Sequence, residues 1–369
     1  MDNAIGIVGM SNYIPKHWIA SQTILNFWHN SNWHFLKAQI GIESRNVIGC
    51  DEDALTLAMA AINKMIRCEY LAPKIPHLDS LILGSTTMPE LYRCNAIQLK
   101  EMFLENSKVW AQDIQDTENG AVMGLVNAYS LIHAKISKNV LVVGSDTLGR
   151  HIEPGNLREY YAGSAAASIY LGNDNVIATI DQVTCISSDF PEVARPEDER
   201  FFRNLTSLNS KIIDEGMIKH CVKAFKTCLA KSKSCVSDYT KIILPEVSLN
   251  GKSRLAKALN ISAKQLLEIS YFKELGELGC AGAFVSLQVA LSQANANDKI
   301  LLISYGHSAQ AICISLTVTD FIKQYWHQVS QANTLSQVSR DPQFKVNYAE
   351  MLQAEDKMVQ SNQAFDSFL

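Results

Sequence analysis

Two kinds of apolar pattern alternate along the chain. Seven short runs are rich in leucine and β-branched residues: IGIVGM (5–10), SLILGS (80–85), NVLVVGSD (139–146), AASIYLG (166–172), KIILPE (241–246), KILLISYG (299–306) and AICISLTVT (311–319). Each has the length of a buried strand, and several close on glycine or a polar turn. Helical patterns lie between them, at 54–66, 95–104, 119–136, 253–260 and 280–294. Strands alternating with helices predict an α/β fold with mostly parallel pairing.

Two of these helices are nearly free of charge. No Asp, Glu, Lys or Arg occurs from 119 to 132 or from 279 to 297. A helix that is apolar all round is buried on all sides. The same helices mark a repeat. Gly84 and Glu118 are 34 residues apart, and Glu118 and Gly144 are 26 apart; the matching intervals between Pro245, Cys280 and Gly306 are 35 and 26. The pattern predicts two similar α/β halves, 1–178 and 179–325, followed by a polar tail, 326–369, read as a partner-docking segment. Two buried helices held between sheets give α/β/α/β/α layers. Their N-termini then face a common cleft, where the helix dipoles favour negative charge.

Composition narrows the function classes. At 47% hydrophobic and 19% charged residues, the chain reads as an ordinary globular protein. A net charge of -4 gives no basic footprint for nucleic acid. No apolar run approaches the roughly 18 residues of a membrane span. The chain enters its first strand at once, with no signal-peptide pattern, so a cytoplasmic location is expected. The nine cysteines are odd in number and form no C-x-x-C pair, which points to free thiols. Cys221 and Cys228 share a helix face near His220, but two small core residues explain them better than a metal site. No metal and no cofactor are expected.

The segments IGIVGMSNYIP (5–15), QIGIESRNV (39–47), DEDALTLAMAA (51–61), ILGSTTMPE (82–90), VVGSDTLGR (142–150), GNLREYYAGSAAASIYLG (155–172) and LLISYGHSAQAICISLTVTD (301–320) carry a likeness. Together they resemble the thiolase superfamily, in its hydroxymethylglutaryl-CoA synthase and ketoacyl-acyl-carrier-protein synthase III branch. The nearest likeness is to synthase-like subunits of the diacetylphloroglucinol acetyltransferase type, which assemble with a thiolase and a zinc-ribbon OB-fold protein. The resemblance implies the thiolase fold and an acyl-CoA or acyl carrier protein as ligand. It also implies a homodimer, or a heteromer with those partners, with a seam near 80–125 and the strand ending at Ser145.

Active members of the family keep a cysteine at the start of the first buried helix. There the dipole favours a thiolate, which a thioester acylates. The resemblance puts Glu118, in DTENG (116–120), at that position. A carboxylate is a poor acyl acceptor, because the mixed anhydride hydrolyses. The family's histidine falls on Glu246 or Val247, the asparagine of its G-N-T turn on Cys280, and the general-acid glutamate of hydroxymethylglutaryl-CoA synthases on Thr86. Four replacements imply that the chain does not run the family reaction by itself, which leaves its standing as an enzyme open.

Two readings follow. In the first, the chain is a structural or regulatory subunit of an acyltransferase or condensing complex whose working cysteine lies in a partner. Glu118 then only caps its helix, with Thr117 or Asn119 sharing the role. In the second, the chemistry is re-plumbed. Either Glu118 is a general base with its pKa raised by burial, or Cys280 is a nucleophile with its pKa lowered by the dipole. Arg195, Arg200 and Arg203 lie in a segment, 185–204, that resembles the family's substrate-side loop. They are candidates for CoA phosphates, set against an ordinary solvated loop. GHSAQ (306–310) echoes a nucleophile elbow but lacks the final glycine and leads into a strand. His307 is therefore read as a loop residue near the cleft or the dimer seam.

Overall fold

The computed structural model describes residues 4–205, 210–267, 270–329 and 340–358. All seven apolar runs form strands, and two more polar segments join them. The strands are β1 (Gly6–Tyr13), β2 (Ser80–Gly84), β3 (Trp110–Ile114), β4 (Val140–Thr147), β5 (Ser164–Gly172), β6 (Ala178–Ser187), β7 (Lys241–Ile243), β8 (Lys299–Gly306) and β9 (Gln310–Val318). They hydrogen-bond in the order β7-β8-β9-β6-β1-β5-β4-β2-β3. The two expected sheets are thus one continuous series, joined where β1 meets β6. That seam has only two paired positions, Gly6 with Thr179 and Ile7 with Ala178. The same motif stands on both sides of it: β2 parallel to β4, then β5 and β1 antiparallel; β7 parallel to β8, then β9 and β6 antiparallel.

The expectation of mostly parallel pairing is corrected. Parallel pairs are β2/β3, β2/β4 and β7/β8, and every other pair is antiparallel. The reason lies in the connections. Each parallel pair is separated in sequence by a helix, as a parallel return requires. By contrast, β8 and β9 are joined through His307–Ala309 alone, which can only reverse the chain.

Four helices complete the layers: α1 (Ala54–Ile66), α2 (Gly120–His133), α3 (Lys219–Ser232) and α4 (Gly282–Ser292). Helix α2 packs on β2 and β4, and α4 packs on β7 and β8 of its own half and on β1 and β5 of the other. Helix α1 covers β1, β4 and β5 from outside, and α3 covers β6 and β9. The order is α/β/α/β/α. The charge-free sequences of α2 and α4 suit this central layer, and polar groups there are paired: Gln288 Oε1 accepts from Asn12 Nδ2 at 2.6 Å. Close approach is set by glycine. A Cβ on Gly84 would sit 2.2 Å from the Ala121 nitrogen, and one on Gly144 would sit 2.5 Å from the Cys280 oxygen. These contacts bring the starts of α2 and α4 to the ends of β2 and β4.

The segment read as a polar, partner-docking tail folds back in part on its own chain. A helix at Ile322–Gln328 crosses its start, and Tyr325 Oη accepts the Met10 amide at 3.0 Å. Further on, Glu355 forms a wholly buried ion pair with Arg45, and Lys357 reaches both Glu355 and Glu159. Residues 330–339 and 359–369 of that segment lie outside the described residues. Among the described residues, no helix is long and apolar enough to cross a membrane.

Candidate functional site

The site begins at a strained turn. Thr117 is β-branched yet holds φ at +40°, in the left-handed region, just before α2. The turn sends Glu118 away from its helix and across to the other half. Its Oε2 accepts the His307 amide at 3.0 Å, and its Oε1 lies 2.9 Å from His307 Nδ1 and 3.6 Å from Arg158 Nη2. Glu118 therefore does not cap α2, and Asn119 makes no side-chain cap either. Asn119 instead ties the turn to the second half, donating to the Gln310 carbonyl at 2.8 Å and accepting from Ser304 Oγ at 2.5 Å.

Two further charged residues close the cluster. Arg158 comes from a short turn, Leu157–Tyr160, and donates to Glu277 Oε2 at 2.9 Å. Glu277 Oε1 lies 3.9 Å from His307 Nδ1. Backbone bonds lock these segments together: Gly163 donates to the Glu277 carbonyl, and Glu277 to the Tyr161 carbonyl. Burial alone would push Glu118 up, but His307 and Arg158 outweigh it and hold the carboxyl well below its usual range. Burial would push His307 down, but Glu118 and Glu277 carry it up to about 9. The expected general base with a raised pKa is thus corrected: Glu118 is a fixed anion and His307 its cation. Glu118, Glu277 and His307 place three ligand-type atoms within 4.8 Å of one another. With Arg158 among them, two carboxylates already meet two cations.

The cluster closes one end of a cavity of about 210 Å³. Phe35, Ile40, Met217 and Val247 give it apolar walls, and Arg158, Glu192, Glu277 and His307 form its polar end. A smaller cavity of about 40 Å³ adjoins it, with Glu118, Glu246 and His307 in its lining. Glu192 was not singled out from the sequence. Its Oε2 accepts from Tyr305 Oη at 2.5 Å, and burial pushes its carboxyl up. Gly216 makes the room: a Cβ there would sit 2.7 Å from Glu192 Oε1 and 2.8 Å from Tyr305 Oη.

The other sequence candidates have different surroundings. Cys280 is fully buried, its Sγ donates to the Thr117 carbonyl at 3.1 Å, and the Ala121 amide points at its sulfur. The dipole of α2 does act on this thiol, but burial and the nearby Asp146 push it well above its ordinary value. The expected lowered thiol is corrected on that ground. Asp146 is also where Thr86 is engaged: Oδ1 accepts the Thr86 amide at 2.7 Å and its hydroxyl at 3.0 Å, while Oδ2 accepts the Cys280 amide at 2.7 Å. Glu246 is ion-paired with Lys252 and accepts from Ser270 Oγ at 2.5 Å. Val247 lines both cavities.

The three arginines do not converge on His307. Arg195 lines a separate cleft of about 610 Å³ with Arg150 and His151, and its Nη1 is 3.0 Å from His151 Nδ1. Arg200 donates to the Glu355 carbonyl, and Arg203 pairs with Glu199. From the same segment it is Glu192, Val193 and Asn204 that reach the cavity at the His307 cluster. On α3, His220 is engaged by Ser188 Oγ at 2.6 Å and by the Gly216 carbonyl at 2.6 Å, and Cys221 and Cys228 are core residues.

Comparison with known proteins finds relatives along most of the chain. Residues 112–188 match the family described as 3-oxoacyl-[acyl-carrier-protein (ACP)] synthase III. The hydroxymethylglutaryl-CoA synthase of Pyrobaculum arsenaticum is 26% identical over 349 residues, covering 94% of this chain and 97% of that protein. That of Archaeoglobus fulgidus is 26% identical over 324 residues, covering 87% and 91%. A solved hydroxymethylglutaryl-CoA synthase in complex with CoA superposes with a TM-score of 0.82 at 17% identity, over 98% of this chain and 92% of that one. The 3-oxoacyl-[acyl-carrier-protein] synthase III of Aquifex aeolicus gives 0.74 at 18% identity, over 85% and 99%. The chain has the thiolase-like fold, and it is hydroxymethylglutaryl-CoA synthase-like and ketoacyl synthase III-like.

Proposed function

We propose that this chain binds an acyl thioester, carried by CoA or an acyl carrier protein, without forming an acyl-enzyme, and works beside a partner chain that carries the nucleophile. One observation carries this reading. At the start of α2, Glu118 is held as an anion by His307 and Arg158, and the nearest thiol, Cys280, is fully buried. A carboxylate held that far down is a weak nucleophile. A thiol without access, and with its ionisation suppressed, does not attack a thioester. The apolar cavity ending on this cluster supports a ligand with a flexible arm and a polar reacting end. The resemblance names the kind of partner: a thiolase-like chain together with an OB-fold zinc-ribbon protein.

Intact mass after incubation with acetyl-CoA tests the first part. No adduct is expected, while calorimetry shows binding. An adduct that disappears in Cys280→Ser overturns the reading. Purification from native cells tests the second part. A thiolase-like chain and an OB-fold protein are expected to arrive together with this one, and a homodimer alone speaks against it.

A further inference from the structure

Arg150 and Arg195 line one cleft of about 610 Å³. Among the described residues it shares no lining residue with the cavities at the His307 cluster. The other arginines of the 185–204 segment have carboxylates: Arg200 pairs with Asp356 and Arg203 with Glu199. Arg150 and Arg195 have no carboxylate partner among the described residues. Arg150 Nε is buried and makes no hydrogen bond to any of them. Arg195 is held in place, with its guanidinium 5.5 Å from the centre of the Phe202 ring and its Nη2 donating to the Thr86 carbonyl at 3.3 Å. Its Nη1 meets His151 Nδ1 at 3.0 Å, and the same ring nitrogen lies 3.0 Å from the Arg200 carbonyl. One nitrogen cannot accept from the first and donate to the second at once, so one of these groups goes unserved. Burial, with the charges of Arg195, Arg200 and Arg150, holds His151 down to about 4, so the local field is positive although the ring itself is neutral. The acidic residues of the cleft are engaged elsewhere or stand at its rim. Asp53 accepts the Thr56 amide at the start of α1, Glu199 is taken by Arg203, and Glu197 is exposed.

We propose that this cleft binds a small phosphomonoester, its phosphate between Arg150 and Arg195 and its carbon part against Met88, Pro89 and Leu91. A part-buried guanidinium is incomplete without an anion, and the planar fork of arginine matches the oxygens of a phosphate. The phosphate oxygens take the Arg150 Nε–H and the Arg195 Nη1–H. His151 Nδ1 is then free to donate to the Arg200 carbonyl, which settles the conflict at that nitrogen. Met88, Pro89 and Leu91 give the cleft an apolar side, which favours an ester over the free ion. The ligand sits apart from the thioester, so the proposal does not rest on the reading of the His307 cavity.

Calorimetry of the full chain near neutral pH tests it, with butyl phosphate as the probe. Saturable binding is expected, with inorganic phosphate weaker and butanol inert. Arg150→Gln and Arg195→Gln are each expected to weaken butyl phosphate about 10-fold or more, with the thermal midpoint kept. Ring NMR of the parent locates the site without a variant: the His151 signals are expected to move on titration while those of His220 and His307 stay. Acetyl-CoA added first is expected to leave the affinity within a few-fold. No saturable binding, equal binding of butanol or of the carboxylate pentanoate, or an affinity unchanged in both variants overturns the proposal. So does a shift at His307 with none at His151. Displacement of butyl phosphate by acetyl-CoA also overturns it, because the phosphate recognised is then that of the thioester's own carrier.

Discussion

At the scale of single residues, the site is an electrostatic knot, and its stability depends on pH in a defined way. The Glu118 carboxyl is depressed from its ordinary 4.5, so its contribution is present above that value and is lost as pH falls further. His307 is raised from 6.5 to about 9, so its contribution is complete below 6.5 and is lost as pH rises through 9. The pair therefore stabilises fully between about pH 4.5 and 6.5 and fades above. Glu118→Gln is expected to cost on the order of 3 kcal/mol at pH 5.5 and much less at pH 9.5. Urea unfolding of parent and variant across that range checks it, and a difference that grows with pH contradicts the assignment. Thr117 gives a second expectation. Its left-handed backbone costs roughly 1–3 kcal/mol, and its buried hydroxyl has no hydrogen-bond partner among the described residues. Thr117→Gly is expected to raise the unfolding midpoint despite the added chain entropy. Glu118 and His307 stand out in the sequence separately, one by its odd position and one by its turn. Arg158, Glu192 and Glu277 do not, because a buried charge and a solvated one look alike in a single sequence.

At the scale of elements, glycine decides how near the central helices come to the sheet. A methyl group on Gly144 would meet the Cys280 carbonyl and the Ala121 Cβ at 2.5 and 2.6 Å. Gly144→Ala is expected to cost about 1–3 kcal/mol and to misplace both helix starts, seen as a lower thermal midpoint. The edge of the strand series supplies another expectation. Among the described residues, strand β3 has no neighbour on its outer side, and Trp110, Ile97 and Met102 are exposed beside it. Open edges of this kind are covered in stable proteins. We propose that a second copy pairs there inside the larger complex, so the isolated chain should sediment as a dimer and Trp110→Lys with Ile97→Glu as a monomer. Legibility at this scale followed chemistry. Strands buried on both faces read as apolar runs, and the helices between sheets read as charge-free stretches. Strands β3 (WAQDI) and β6 (ATIDQVTCIS) were missed because both alternate with polar residues. Strand direction was missed because an apolar run reads the same whichever way its neighbour points.

At the scale of the whole molecule, the late segment is part of the body. Arg45 and Glu355 are both fully buried, and Lys357 adds a second cation between Glu355 and Glu159. Ending the chain after residue 329 would leave Arg45 without its carboxylate, holding only the Glu159 and Asn46 carbonyls. Such a truncation is expected to lose about 3–5 kcal/mol and to drop the thermal midpoint sharply, whereas a truncated chain as stable as the parent would show that segment to be dispensable. The same pair has a consequence in time. The two residues are 310 positions apart in the chain. At roughly 5–20 residues per second, the ribosome makes Arg45 about 15 to 60 seconds before Glu355 exists. For that interval the nascent N-terminal half holds a guanidinium whose seat is dry and whose counter-ion has not been translated. It must stay loose enough to hydrate that group, so the half that folds first on the ribosome is finished only when nearly all the rest has emerged.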